Sequence, residues 1–446
     1  MSNIFLQILV AICFIGVVIV LFFEEKDYIY YTFVFIVIAG VATAIFIPEA
    51  RSIEFYISQI EWDVIFFLIT MFIIVEILKD NKIFDEIARL IVLKYGNNPR
   101  ILFYVICIVS TLLATIVEDL SIAMIFAPII IVATRKLNMK PAAYLLGMTI
   151  CINIAATLTP FGSAQNILIT DAFNLDIFWF IIYLGPYFVL SFLTTLFLLD
   201  KLSLSKDIDY CKKHVCAFEE ARIDLLLDSK EVEKKQFIKN LIALGIFIIL
   251  LIFIPVLYLA GLIAVLIFVL INPVRKKKDE EKSISLSYYL SRVDYKLIYF
   301  FICLFIFVGL MDLNGTIKFL ESLLERFSSE NEFFLALIIL FTTSILSGFL
   351  DNTPVTIIFI PIIQILIGLP EFYRGPLVIA FILGINLGGN FLPQGSAADM
   401  MTLEVSRENN VQNLSYKRLF KVGGLFALFH VLLGVAYLAF TMFLPY

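Results

Sequence analysis

Charge is what this chain has least of. Lys, Arg, Asp and Glu make up 16% of its 446 residues against 61% apolar, and it holds only two His and two Trp. With a mean hydropathy of +0.99, that balance excludes a soluble enzyme and places the chain in a bilayer. There is no basic excess: the net charge is -5 and the pI about 5.3, so no nucleic-acid partner is expected. Fourteen Pro and 20 Gly are too few for a fibrous or low-complexity chain. Six Cys, most of them within apolar stretches, make no secreted disulfide framework. No phosphate-binding G-x-x-x-x-G-K-[ST] loop occurs, nor a metalloprotease His-Glu pair or Gly-x-Ser-x-Gly turn within the spans. No cofactor is expected, and energy for transport would come from an ion gradient or a separate ATPase.

What the chain has instead is apolar blocks of about 20 residues, the length a helix needs to cross hydrocarbon. Residues 1–23 lack a basic start and a small-residue cleavage site and read as a first span, not a removed signal. Further spans are expected at 28–47, 62–79, 177–199, 237–255, 257–272, 296–313 and 418–442. Residues 81–95 carry apolar groups at helical spacing among charges (Ile83, Ile87, Leu90, Ile91), as an interfacial helix does. Regions 99–134 and 332–369 are too long for one span and short for two with a loop. Each is interrupted once by acidic groups, Glu118-Asp119 and Asp351-Asn352, and is expected to be a helical hairpin turning there. Regions 141–172 and 376–407 are interrupted around Pro160 and Pro393, where Pro removes a donor and Gly frees the backbone; discontinuous helices are expected.

A repeat accounts for the pattern. A shift of 233 residues places Pro128 on Pro361, Asn153 on Asn386, Pro160 on Pro393, Gly162 on Gly395, Ser163 on Ser396 and Ala164 on Ala397, with 11 identities over residues 118–166. Apolar segments match by chance at Ile or Phe, but not at so many Pro, Gly, Ser and Asn in one register. Each half then has three spans, a hairpin that returns to its starting side, a broken span and a final span. Five crossings are odd, so the second half is inverted. Tracing sides, Arg51, Lys318, Arg326 and Arg374 fall with the N-terminus and the other 29 of 33 basic residues fall opposite. The basic side is the cytoplasm. The fold expected is an all-α multi-pass protein of the plasma membrane: repeats 1–200 and 237–446, both termini external, and a cytoplasmic linker 201–236.

An ionised side chain at mid-membrane costs about 3 kcal/mol or more, so such residues are functional candidates. Glu118, Asp119, Asp351 and Asp399 lie inside apolar segments, with Asn153, Asn166, Asn352, Asn386 and Asn390. The plainer alternative is that the hairpins cross fully and their tip carboxylates sit in water. At each break the unwound backbone offers carbonyls to a cation, and the following half-helix offers its N-terminal NH groups to an anion. Thr157, Thr159, Ser163, Asn390, Gln394 and Ser396 add neutral oxygens of the kind Na+ accepts; Glu118, Asp119 or Asp351 could carry a proton instead. The sequence leaves Na+ and H+ open as coupling ions. No Lys or Arg lies in a hairpin interior or a break, and the sole intramembrane His is His430. That disfavours a bare multivalent anion and favours a cation, a neutral hydroxyacid or a singly charged ion. Cys211-x-x-His214-x-Cys216 in the linker has too few ligands for a metal motif, and the basic run 275–278 reads as a topology anchor at lipid head groups.

Four short stretches resemble the ion transporter superfamily of arsenite permeases, NhaD-type sodium/proton antiporters and citrate or dicarboxylate transporters. Val117-Glu118-Asp119-Leu120-Ser121-Ile122-Ala123 is similar to the Asn-Asp pattern of arsenite permeases, with Asp119 at its acidic position. Leu350-Asp351-Asn352-Thr353-Pro354 resembles the paired Asn-Asn or Asp-Asn with a following Pro of the second hairpin. Thr157 to Asn166 and Gly388 to Ala397 look like the two breaks, Thr-Pro-x-Gly in the first. The resemblance implies that tips and breaks form the ion and substrate sites and that a domain carrying them moves against a scaffold. The tips here read Glu-Asp-Leu and Asp-Asn-Thr where dicarboxylate transporters carry Ser-Asn-Thr, which argues against a di- or tricarboxylate. The expected binding set is Glu118, Asp119, Asn153, Thr157, Thr159, Gly162, Ser163, Asn166, Asp351, Asn352, Thr353, Asn386, Asn390, Gly395, Ser396 and Asp399, around Pro160 and Pro393. The function expected is secondary active transport of a small anion or oxyanion such as arsenite. The alternatives are Na+/H+ antiport and a channel or permease subunit driven by a partner ATPase. A homodimer is a further expectation.

Overall fold

Helices close every backbone hydrogen bond within one segment, the one open-ended solution hydrocarbon allows. The computed structural model describes residues 4–20, 27–96, 98–117, 119–136, 139–208, 233–254, 256–275, 282–283, 286–319, 331–350, 352–368, 374–411 and 413–442. Glu118, Asp351, Arg326, the linker's Cys211, His214 and Cys216, and residues 276–278 lie outside them. Among the described residues regular structure is helical apart from one two-residue ladder, Val274–Arg275 against Lys282–Ser283. Among the described residues six helices are long and apolar enough to cross a membrane, from Tyr28–Phe46 to Tyr416–Thr441.

The outer helices pack in a chain of neighbours. Ile4–Val20 lies on Tyr28–Phe46, which lies on Tyr295–Leu313; Lys234–Phe253 lies on Leu257–Ile271, which lies on Trp62–Asp80. Their outward faces expose large apolar side chains such as Phe253 and Leu266, a surface suited to lipid. At the centre the opposite holds. Every residue of Ala142–Ala155 is buried, as is every residue of Arg374–Gly388 beyond Arg374. A helix apolar all round has to be wrapped by protein. Pro99–Ala114 covers the first and Glu332–Phe349 the second.

Hairpin return arms follow as Asp119–Lys136 and Asn352–Gly368, each with a Pro inside, Pro128 and Pro361. Beyond the breaks the chain resumes as Ala164–Ala172 and Ala397–Glu408. The starts of equivalent helices, Trp62 and Tyr295, Pro99 and Glu332, Asp119 and Asn352, Ala164 and Ala397, stand 233 residues apart. The halves interlock: Ala164–Ala172 packs on Asn352–Gly368, and Ala397–Glu408 on Asp119–Lys136.

Two expectations shift. The span expected at 177–199 is instead a short helix, Ile177–Tyr183, bent 102° from Ala164–Ala172, followed by a span at Gly185–Ile208. Pro186, early in that second helix, has no NH to continue the first. Residues 201–208, read as linker, therefore belong to the span. The helix at Ile83–Tyr95 is present and buries Ile83 and Ile91, but Leu90 points outward.

Candidate functional site

Both breaks begin where a helix runs out of donors before Pro160 or Pro393, and both are held close to their own hairpin by a glycine. A Cβ on Gly162 would meet Ala114 O at 3.0 Å, and one on Gly395 would meet Ser347 O at 2.7 Å and Gly348 O at 2.9 Å. These are the same positions of the two hairpins, so each glycine lets break and tip touch. Thr159 reinforces the first contact: its hydroxyl donates to Thr115 O and accepts from Gly162 N at 3.1 Å. Ser347 reinforces the second by donating to Ile385 O at 2.6 Å. With its nitrogen turned toward Ser347 Oγ, Gly395 O (3.2 Å) and Ile385 O (3.2 Å), the Asn352 amide leaves its oxygen to accept from Gln165 Nε2 at 3.2 Å. The second tip thus reaches both breaks.

Between the breaks the two halves meet through amides. Asn153 Nδ2 donates to Asn390 Oδ1 at 2.8 Å and to Asp399 Oδ1 at 3.4 Å, and Asn153 Oδ1 accepts from Ser396 Oγ at 2.9 Å. Thr149, one turn earlier on the same face, donates to the same Asp399 oxygen. At the repeat-related position Asn386 Nδ2 donates to Asn166 Oδ1 at 2.9 Å while its Oδ1 accepts from Gln165 Nε2 at 3.0 Å. Asn153 therefore reaches Asp399 in the other half, and Asn386 reaches Asn166 in return.

The equivalence stops at Asn166 and Asp399. Asn166 Nδ2 donates to Ala156 O and to Thr159 O (2.9 Å), closing carbonyls that its own break set free. Asp399 makes no such closure: its Oδ1 accepts from Thr149 and Asn153, and Leu392 O, the counterpart of Thr159 O, accepts from Gly395 N at 2.9 Å instead. Among the described residues its second oxygen, Asp399 Oδ2, and Asn390 Nδ2 are buried without a partner, as is Ser163 Oγ. Ser163 and Ser396 occupy the cap positions of the second half-helices, yet neither side chain caps. The first NH groups of those helices keep their positive ends uncapped by side chains.

Not every expected residue joins this cluster. Thr157 spends its hydroxyl on Ile154 O at 2.8 Å. Asp119 opens its return arm, half-buried, accepting from Leu120 N at 2.7 Å. Thr353 is buried at the second tip. Gln394 accepts from Tyr416 at the surface. Glu118 and Asp351 are outside the described residues. Thr149 and Gln165, absent from the expected set, are part of the cluster; Thr149 stands four residues before Asn153, on the same helix face.

Open space lies beside Ala164–Ala172, the helix that follows the first break. A cavity of about 630 Å³ is lined by Gln59, Glu61, Asp171, Asp312 and Gln364 among apolar walls. A second, of about 430 Å³, is lined by Asp63, Thr170, Asp171 and Asp176 and reaches Pro160. Among the described residues no Lys or Arg lines either. Burial and the neighbouring Asp63 push the Glu61 carboxyl above its usual range. At the repeat-related end three of the corresponding positions carry longer side chains. Where the cavity has Gly309 and Asp312, that end has Glu76 and Lys79, ion-paired at 3.3 Å. Where it has Gly368, that end has Arg135, donating to Asn409 O.

A family model described as citrate transporter matches residues 17–285 and 280–446. The chain belongs to the citrate transporter family. Two relatives are alike over most of their length and a third over a short segment. A "46 kDa membrane protein" of Mycobacterium leprae is 24% identical over 384 residues, 83% of this chain and 85% of its own. An "uncharacterized transporter" of Methanocaldococcus jannaschii is 25% identical over 412 residues, 91% and 97% of the two chains. A Dictyostelium discoideum protein whose name carries "transporter arsB" is 24% identical over 123 residues, 28% of this chain and 22% of its own. Family membership makes this chain a multi-pass membrane transporter and not an enzyme.

Proposed function

We propose that the protein is a secondary active transporter of a small oxyanion-forming acid, arsenite being the type, coupled to H+ or Na+. The observation that carries this is the buried cluster in which both breaks exchange hydrogen bonds across the halves around one carboxylate, Asp399. Broken helices at such depth are tolerated where they are buried in protein or line a cavity, and in transporters they form substrate and ion sites. In this reading the halves 1–200 and 237–446 are inverted repeats, the tips and breaks move as a unit against the outer helices, and both termini lie outside with the linker in the cytoplasm. The repeat-spaced helix starts and the basic minority at one end support the inversion. Na+/H+ antiport is the second reading, favoured by cavities lined by carboxylates and no cation.

Purified protein in proteoliposomes should accumulate arsenite against its gradient when a Na+ or H+ gradient is imposed, and Asn153→Ala should reduce the rate by tenfold or more. Gradient-driven Na+ efflux without arsenite movement would establish the antiporter. Accumulation only with an added ATPase would make the chain a permease subunit.

A further inference from the structure

The cavity of about 430 Å³ gathers negative charge with no counter-charge of its own. Asp63 comes from the first turn of Trp62–Asp80, Asp171 from the last turn of Ala164–Ala172, and Asp176 from the cap of Ile177–Tyr183, where it accepts from Trp179 N at 2.7 Å. Asp171 is within electrostatic reach of both Asp63 and Glu61. Carboxylates gathered at a helix C-terminus, itself the negative end of the dipole, are relieved by a cation. A different observation points to the same occupant. Thr170 lines this cavity and is 6% exposed, and among the described residues its hydroxyl is buried without a partner. Such a group is costly until something hydrogen-bonds it.

The rest of the wall is apolar and includes the rings of Phe67, Phe161, Phe178 and Tyr258. A hydrated inorganic ion gains nothing from such walls, and among the described residues no three acidic, His or Cys groups converge closely enough to hold a bare one. A protonated primary amine on an apolar body gains from all of them. Its N–H donors suit the carboxylates and Thr170 Oγ1, its charge suits the ring faces, and its body fills the apolar space. The walls also come from both sides of a seam. Asp63 and Phe67 belong to one outer helix and Tyr258 to the next, Leu257–Ile271, whereas Phe161, Thr170 and Asp171 belong to the break and the half-helix after it.

We propose that this cavity binds an amphipathic primary ammonium ion, and that the occupant ties the broken segment to the outer helices and slows transport. The tie rests on the transporter reading above, in which the break moves against those helices; the binding does not.

The chain's two Trp report on the site, since Trp62 adjoins Asp63 and Trp179 is hydrogen-bonded to Asp176. Titrating the purified full chain with phenethylammonium should change Trp fluorescence saturably. Three controls should bind about tenfold or more weakly: 2-phenylethanol without the charge, phenethyltrimethylammonium without the N–H donors, and methylammonium without the apolar body. Asp63→Asn should weaken phenethylammonium about tenfold and Thr170→Val about threefold to tenfold. Thr170→Val should also keep or raise the thermal midpoint of the free protein, because a methyl replaces an unpartnered hydroxyl of the same shape. In proteoliposomes phenethylammonium should lower the maximal rate of driven arsenite uptake without changing its KM, and do so less in Thr170→Val. Equal binding of 2-phenylethanol and phenethylammonium, or equal binding by wild type and both variants, would overturn the site. Saturable binding that leaves the flux untouched would overturn the tie. Absence of driven arsenite flux before any amine is added would instead sink the transporter reading, with the site still decided by fluorescence.

Discussion

Gly395 faces three backbone oxygens, Ser347 O, Gly389 O and Gly348 O, within 2.9 Å of where a Cβ would stand, and backbone cannot step aside as a flexible side chain can. Gly162 is less confined, with one carbonyl at 3.0 Å. Gly395→Ala should therefore cost about 1–3 kcal/mol by overpacking, lowering the thermal midpoint in detergent more than Gly162→Ala does. A sharper contrast concerns the repeat-related pair. Asn166→Asp would set a carboxylate against two carbonyl oxygens it now donates to, Ala156 O and Thr159 O. It should destabilise by about 3 kcal/mol or more, as an uncompensated buried charge does, whereas Asp399→Asn should fold. Equal midpoints for the two variants would contradict this account. The sequence showed the Asn and Asp of the cluster because polar groups in apolar runs stand out. Thr149 and Gln165 did not stand out: a Thr bonding its own helix is ordinary in a membrane, and only the folded contact shows that Thr149 donates to Asp399.

At the level of helices, position in the molecule sets the cost of a substitution. Leu145 is fully buried in Ala142–Ala155 and Leu266 is 61% exposed on Leu257–Ile271. Leu145→Ala should cost about 2–5 kcal/mol, while Leu266→Ala, facing lipid that fills the gap, should leave the thermal midpoint within a degree or two. Neither helix has an amphipathic face, which is why periodicity located the elements but not their depth. Helix ends were legible wherever a charge or Pro stopped an apolar run, as at Trp62–Asp80 and Pro99–Ala114. The bend at Asn174, φ 45°, falls between the expected ends at 172 and 177; the break before Pro186 was not legible, because apolar residues run on through it.

At the level of the whole molecule, the carboxylates Glu61, Asp171 and Asp312 gather around one cavity at the end where the basic minority lies. Their summed field should raise the local concentration of a cation by a factor that salt screens. Neutralising all three (Glu61→Gln, Asp171→Asn, Asp312→Asn) should raise the KM for the coupling cation on that side several-fold, flatten its dependence on ionic strength, and leave the maximal rate unchanged. A fall in the maximal rate with KM intact would place these groups in the chemistry instead of its approach. The repeat itself was readable from Pro, Gly, Ser and Asn in register; that its two ends are built differently was not, because Gly309 and Gly368 against Glu76 and Arg135 acquire meaning only once the cavity is seen.

The mismatch of Asn166 with Asp399 has a consequence for how the cycle runs. Two halves of equal chemistry, inverted in a membrane, would interconvert between mirror-image states of equal energy, and a liposome would not care which way round each molecule sat. One break closed by an amide and the other held by a carboxylate remove that degeneracy. In the inverted arrangement proposed above the two access states would then differ in free energy, and right-side-out and inside-out molecules under the same gradient would run at different speeds.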